Sequence, residues 1–460
     1  MKKDYFLSFF LITLLSTVAF AQKLNTDLFN KMKARSIGPA VMSGRITAVD
    51  AVWENPNLIY AASASGGVWK SENGGTKWQA IFDNMPLQNI GSIAIQQSNP
   101  SVVWVGTGEG NPRNSINLGA GIYKSLDGGK TWKLMGLEKT RNIHRILIDP
   151  TNPNVIYAGV IGNPYAEQQE RGVYKTTDGG ETWQRVLFTN EKSGVADMIM
   201  DAKNPNKLFV SMWQHKRTAW DFKSGGEGSG LYVTYDAGKN WKKLSKTDGL
   251  PEGDFGRIGL ASCRSYPNRV YALIEATKNG LYRSDDGGMK WEKVNEDPKD
   301  VTNRPFYFND ILCDPKNENR LYSLYQVISM SEDGGKSFKT TATFDQAHAD
   351  HHAIWIHPED NNFIINGNDG GVSISRDRGK TWTFAEALPL GQFYHVNVDN
   401  EIPYNIYGGL QDNGSWQGPA YIWKEGGIRN YSWLSVNGGD GFDVVPDPEY
   451  ALYGYALSQG

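Results

Sequence analysis

Between residues 71 and 382 one short phrase is written seven times, and it decides what the chain can fold into. S-L-D-G-G-K-T-W runs from Ser125 to Trp132, T-T-D-G-G-E-T-W starts at Thr176 and T-Y-D-A-G-K-N-W at Thr234. S-D-D-G-G-M-K-W follows from Ser284, S-E-D-G-G-K-S-F from Ser331 and S-R-D-R-G-K-T-W from Ser375, with a weaker copy, S-E-N-G-G-T-K-W, at Ser71. The steps between starts are 54, 51, 58, 50, 47 and 44 residues. Self-similarity at so regular a period marks a repeat architecture, in which each unit buries its apolar faces against its neighbours.

The unit can be read around this phrase. A short apolar strand precedes it, as in G-I-Y-K before Ser125 and G-L-Y-R before Ser284. Further upstream stand two strands about an Asn-Pro turn: I-L-I-D-P-T-N-P-N-V-I-Y-A from Ile146, with counterparts from Ile93 and Ile311. Asp-Gly between alternating strands is a strong hairpin signal. The unit is therefore strand, turn, strand, loop, strand, Asp-Gly-Gly turn, strand. Four antiparallel strands per unit describe a blade of an all-β propeller. In the turn, Asp accepts backbone N–H bonds, Gly supplies positive φ and Trp packs between sheets. Asp127, Asp178, Asp236, Asp286, Asp333 and Asp377 are accordingly structural.

The repeat continues beyond the seventh copy. His395 opens an eighth unit with a degraded turn at Asp412-Asn413-Gly414-Ser415-Trp416, and Phe442 opens a ninth with only two strands. About nine units, the last incomplete, imply either a larger ring or two consecutive rings, and a fragment of a longer protein. The expected organisation is a leader over 1–21, seven units over 22–394, and the eighth and partial ninth over 395–460. The leader rests on Lys2 and Lys3, the apolar run from Phe6 to Ala21 and the Ala19-Phe20-Ala21 site, which together describe a secretory signal peptide. The run is too short to span a bilayer comfortably and nothing later approaches it. The product is expected in the periplasm, at the cell surface or outside.

Lys and Arg total 47 against 50 Asp and Glu, a net charge of −3, which speaks against a nucleic-acid binder. Only Cys263 and Cys313 are present, too few for a disulfide framework, and their pairing stays open.

Because strands alternate in direction, loops alternate between two faces. The Asp turns share one; the second-to-third-strand loops and the connections between units share the other, where the irregular sequence lies. Candidate ligand contacts there are Glu109 and Arg113, Trp213 and His215, Tyr307 and Asn309, His351 and His352, and Gln411. Candidate catalytic carboxylates are Asp350, Asp369, Asp412 and Asp440. In H-A-D-H-H, alternation would put His348, Asp350 and His352 on one strand face, a possible metal set. Three ligands so close in sequence seldom close a site, so no metal or cofactor is expected. Lys216-Arg217 reads as a solvated loop tip.

The S-x-D-x-G-x-T-W phrase resembles the Asp-box (BNR) repeat. Sialidases of that kind carry an R-I-P or R-L-P motif, which is absent here. Xyloglucanase-type glycosidases place a first catalytic Asp in a D-x-G-G turn of the first blade. The corresponding turn here is Ala64-Ser65-Gly66-Gly67, and Asn368-Asp369-Gly370-Gly371 keeps a carboxylate in the seventh unit. I-G-P-A-V-M-S-G-R-I, A-S-G-G-V-W-K, D-H-H-A-I-W-I, G-N-D-G-G-V, G-L-Q-D-N-G-S-W and G-G-D-G-F resemble exported bacterial proteins similar to the sortilin (VPS10) N-terminal domain, often labelled glycosyl hydrolase. That resemblance implies a propeller that binds an extracellular peptide, protein or glycan on the face opposite the Asp turns. The alternative it leaves is a glycoside hydrolase acting on a polysaccharide through loop-face carboxylates. The absent first-blade carboxylate favours recognition.

Overall fold

Each unit folds as the repeat predicts, into its own antiparallel sheet drawn from contiguous sequence. The computed structural model describes Leu28, Met32 and residues 34–459; the leader expected over 1–21 lies outside them. Sheet one comprises Ile46–Ala51, Ile59–Ser63, Val68–Ser71 and Gln79–Ala80, in that order. Six more sheets repeat the pattern over 90–134, 143–187, 193–243, 258–295, 311–342 and 351–384. Sheet four adds a short strand, Phe222–Ser224, which pairs with the end of its second strand, Leu208–Arg217.

These seven sheets form a closed ring. Each first strand packs on the first strand of a neighbour, and that of sheet seven, His351–Ile356, returns to that of sheet one. The closing junction is apolar: Ile46, Ile59 and Ala61 share one core with Ile365, Val372 and Ile374. The first strands ring a central cavity of about 240 Å3, lined in part by Thr47, Ser92, Arg145, Asp197 and Asp310.

The Asp turns hold as expected. In the second copy Ser125 Oγ donates to Asp127 Oδ1 at 2.8 Å and accepts the Gly129 N–H at 2.8 Å. Asp127 Oδ1 also accepts the Thr131 N–H at 2.9 Å. Gly129 has φ 92°, a conformation an L side chain resists. The following Trp132 reaches into the preceding unit, where Nε1 donates to the Ile81 carbonyl at 2.7 Å; Trp183 repeats this with Met135. Cys263 and Cys313 form a disulfide joining sheets five and six.

An eighth sheet (Phe393–Val398, Asn405–Leu410, Ser415–Pro419 and Leu434–Asn437) and a two-stranded sheet (Gly441–Pro446, Gly454–Ser458) follow the ring and pack on each other. The eighth also packs Leu410, Trp416 and Trp433 against Ile37, Ala40 and Met42.

One irregularity recurs. Near the loop face the first strand carries an extra residue in sheets one, two, three, four, seven and eight. In sheet seven His351 pairs with Asn368 and Ala353 with Gly367, leaving His352 as the bulged residue. In sheet three the bulged residue is His144. A bulge re-aims its side chain and is a recurrent device beside functional sites.

Candidate functional site

The carboxylates on the loop face converge from three separate places. Asp369 sits in the turn between the second and third strands of sheet seven, and Asp412 in the equivalent turn of the eighth sheet. Asp350 ends the connection entering sheet seven. Their carboxylate oxygens lie within 4.8 Å of one another. Asp350 and Asp412 both adopt left-handed backbone, φ 61° and 59°, which Asp tolerates better than most residues.

Asp369 is buried and fully engaged. Its Oδ2 accepts from Arg113 Nη1 at 3.0 Å, and its Oδ1 meets His352 Nε2 at 2.8 Å. Burial alone would raise its pKa, but His352, Arg45 and Arg113 outweigh that and hold it well below the usual carboxylate range. Arg113 Nη1 also donates to the Tyr307 hydroxyl at 2.7 Å, and its Nη2 lies 3.8 Å from Asp412 Oδ2. Behind them a buried ion pair joins Arg45 Nη2 to Glu109 Oε2 at 3.0 Å.

The proton on His352 can be placed from its neighbours. Arg257 Nη2 donates to Asn111 Oδ1 at 3.0 Å, so the Asn111 amide N–H faces His352 Nδ1, 3.3 Å away. With Nδ1 an acceptor, Nε2 carries the hydrogen that meets Asp369.

Asp412 is the opposite case. It is partly exposed, and burial first, then the neighbouring Asp369 charge, push its pKa up to about 8. Its backbone is pinned on both sides: Asp440 Oδ1 accepts the Asp412 N–H at 2.6 Å, and His348 Nε2 donates to the Asp412 carbonyl at 3.0 Å. Burial also raises Asp350 above its ordinary value. One carboxyl kept protonated beside another kept ionised is how acid and base roles are separated. Three carboxylates could in principle hold a divalent cation, but Arg113 already places a positive charge between Asp369 and Asp412.

A family model for Sortilin-Vps10, described as sortilin, neurotensin receptor 3, matches residues 120–250 and 279–405, together more than half of the chain. The chain belongs to the Sortilin-Vps10 family. Xyloglucanase Xgh74A of Acetivibrio thermocellus is 25% identical over 316 residues, 61% of this chain and 32% of that protein. Mouse sortilin is 22% identical over 317 residues, 53% of this chain and 36% of its own. The chain thus spans about a third of the length of these relatives. The GH74 xyloglucanase structure from Xanthomonas campestris superposes with a TM-score of 0.59 at 17% identity, covering 83% of this chain and 60% of that one.

Within this Sortilin-Vps10 chain the loop-face candidates divide. Glu109, Arg113, Tyr307, His352, Asp350, Asp369 and Asp412 come together, and Asp440 sits behind Asp412 as a backbone anchor. Gln411 is one step away, its Oε1 accepting from Gln392 Nε2 at 2.7 Å. Trp213 and His215 do not face the site. The Phe222–Ser224 strand folds over them, leaving Trp213 0% exposed, stacked on His215 at 4.2 Å. His351 is buried against Asn366 Oδ1 at 2.7 Å, and Asn309 donates to the carbonyls of Arg257 and Leu273. Nor do His348, Asp350 and His352 share a strand face, because Asp350 precedes the strand and the bulge turns His352 away from simple alternation. Lys216 and Arg217 continue a strand rather than form a loop tip, and Arg217 Nε donates to the Arg113 carbonyl at 3.2 Å. Sequence reasoning missed Arg45, Asn111, His144 and Arg257. Arg45 closes the quoted run I-G-P-A-V-M-S-G-R-I, the one signal that could have raised it.

Proposed function

We propose that the protein is a glycoside hydrolase acting on a polysaccharide laid across the loop face, in preference to a purely recognitive propeller. The observation that carries this is the Asp412–Asp369 contrast, a protonated carboxyl beside an ionised one on a partly open surface. Similarity to xyloglucanases supports the same reaction class.

Asp412, protonated at neutral pH, donates its proton to the glycosidic oxygen as the bond to the anomeric carbon breaks. Asp350, whose carboxylate has no hydrogen-bond partner among the described residues, attacks that carbon to form a glycosyl ester. Asp412, now ionised, takes a proton from water, which displaces Asp350 and regains the proton balance. The close approach of the carboxylates, within 4.8 Å, suits this retaining route, for which about 5–5.5 Å is usual, rather than the 6.5–9.5 Å of inversion. Asp369 positions the pair through Arg113 and supplies the charge that keeps Asp412 protonated. Export by the leader over 1–21, and a second ring begun by the eighth and ninth units, belong to the same proposal.

Reducing ends released from a polysaccharide panel, and lost in Asp412→Asn and Asp350→Asn, are the expected result. Silence across the panel from folded protein would refute catalysis and leave peptide or glycan recognition, which similarity to sortilin favours.

A further inference from the structure

A second cavity, of about 280 Å3, opens on the loop face between sheets three and four. Arg171, Lys192, Lys216 and Lys223 line it, with Glu167 as the carboxylate among its lining residues. The whole chain carries a net charge of −3, so this positive excess is local.

Arg171 is 1% exposed and has no carboxylate partner among the described residues. Its Nη1 donates to the Lys192 carbonyl at 3.0 Å and its Nη2 to the Ala166 carbonyl at 3.1 Å and to that of Asn163, while Nε is unpartnered. Buried charges are ordinarily paired, because stripping an ion of water is expensive. Burial lowers the pKa of Arg171 to about 10, which leaves it a cation at neutral pH. Lys216 and Lys223 stand directly opposite each other across the antiparallel pair, an arrangement that costs stability when charges are alike. Lys192 faces Glu167 at 3.9 Å, both largely exposed. The hairpin carrying the two opposed lysines ends in Trp220, 88% exposed, a flat apolar platform of the kind on which a sugar ring lies. Through Arg217 the same hairpin touches the Arg113–Asn114 loop of the carboxylate site.

We propose that this pocket binds an anionic sugar unit, one bearing a carboxylate or a sulfate, so that the polymer crossing the loop face is acidic. The identity of the polymer as a glycan rests on the glycosidase reading; the requirement for negative charge does not. A single unit fits the volume, its anion meeting Arg171 and the opposed lysines, while Trp220 at the hairpin tip lies outside the pocket lining, where a neighbouring ring of the polymer would rest.

Affinity electrophoresis tests this with polygalacturonate as the carboxylate polymer, a carrageenan as the sulfated one, and xyloglucan as the neutral one. The wild-type protein should be retarded about 10-fold more strongly by at least one acidic polymer than by xyloglucan, and the two acidic arms tell carboxylate from sulfate. Lys216→Gln/Lys223→Gln should lose about 10-fold of that affinity while melting no lower than the wild type, since it relieves the opposed like charges. Lys77→Gln/Lys130→Gln, which removes the same charge on the opposite face, should lose little. Equal retention by neutral and acidic polymers, no retention by either acidic polymer, or equal losses in the two double variants would overturn the proposal. Charge-selective retention without any release of reducing ends would instead sink the glycosidase reading and leave the pocket standing.

Discussion

Asp369→Asn probes the charge arrangement with little change of shape. In the wild type Asp412 titrates near 8, with burial the larger cause and the Asp369 charge the next. Oxygens of the two lie within 4.8 Å. At an effective dielectric constant of about 20, unit charges at that separation interact by about 3.5 kcal/mol. At about 1.36 kcal/mol per unit this is roughly 2.5 pKa units. The amide removes that repulsion and also frees Arg113, 3.8 Å from Asp412, to favour the ionised form. Burial remains, so Asp412 should fall to roughly 5.5 rather than to an ordinary carboxylate value. The acid must be protonated to work, so activity is lost as pH rises through this value. The alkaline limb of kcat/KM for reducing-end release should therefore move down by about 2.5 units. Carbon-13 NMR of the Asp412 carboxyl reads the same shift without turnover. A limb that stays near pH 8, or moves upward, would refute the electrostatic account of this site.

Asp412→Asn should stabilise the protein at pH 9 while abolishing activity. A carboxyl whose folded pKa is raised contributes stability only at low pH and loses it as pH rises towards 8, so the amide should raise Tm by about 2 °C there and leave it unchanged near pH 3. Ser125→Ala orphans the buried Gly129 N–H and should cost about 1–3 kcal/mol in denaturant unfolding. Cys313→Ala opens the link to Cys263 across a separation of 50 residues and should cost about 4 kcal/mol by loop-closure entropy, read in the same way.

The units were legible because every demand in them is local. Ser125, Asp127, Gly129 and Trp132 satisfy one turn and one neighbouring sheet, and the chain repeats the solution at each turn. Ring closure was not legible, since Ile46 and Ile365 meet only by side-chain packing and no repeat signal says where a ring stops. The carboxylates were legible as loop-face residues, yet not as partners: Asp350, Asp369 and Asp412 belong to different turns. The set His348, Asp350 and His352 was misread as sharing one strand face because alternation assumes a regular ladder, and one extra residue at His352 reverses the side chain's direction. Trp213 was misread because nothing in M-W-Q-H-K-R signals that a later strand folds back to cover it.

The junction between sheets seven and one has a mechanical consequence. Every other pair of neighbouring sheets in the ring is joined by the chain itself, but this pair is held by apolar side chains and isolated hydrogen bonds such as His357 Nε2 to the Trp53 carbonyl at 2.8 Å, with no strand among the described residues from one end of the ring completing the sheet at the other. Its cover is the segment from Ile37 to Gly44, lying against Pro389 and Leu390. A ring built in this way can breathe at one seam without breaking a single ladder hydrogen bond. Asp369 and Asp350 lie on one side of that seam, with Arg45 and Arg113 on the other. Arg113 and Asp369 meet across that seam at 3.0 Å, so the pairing of this cation with its carboxylate depends on two sheets that no ladder hydrogen bond ties together.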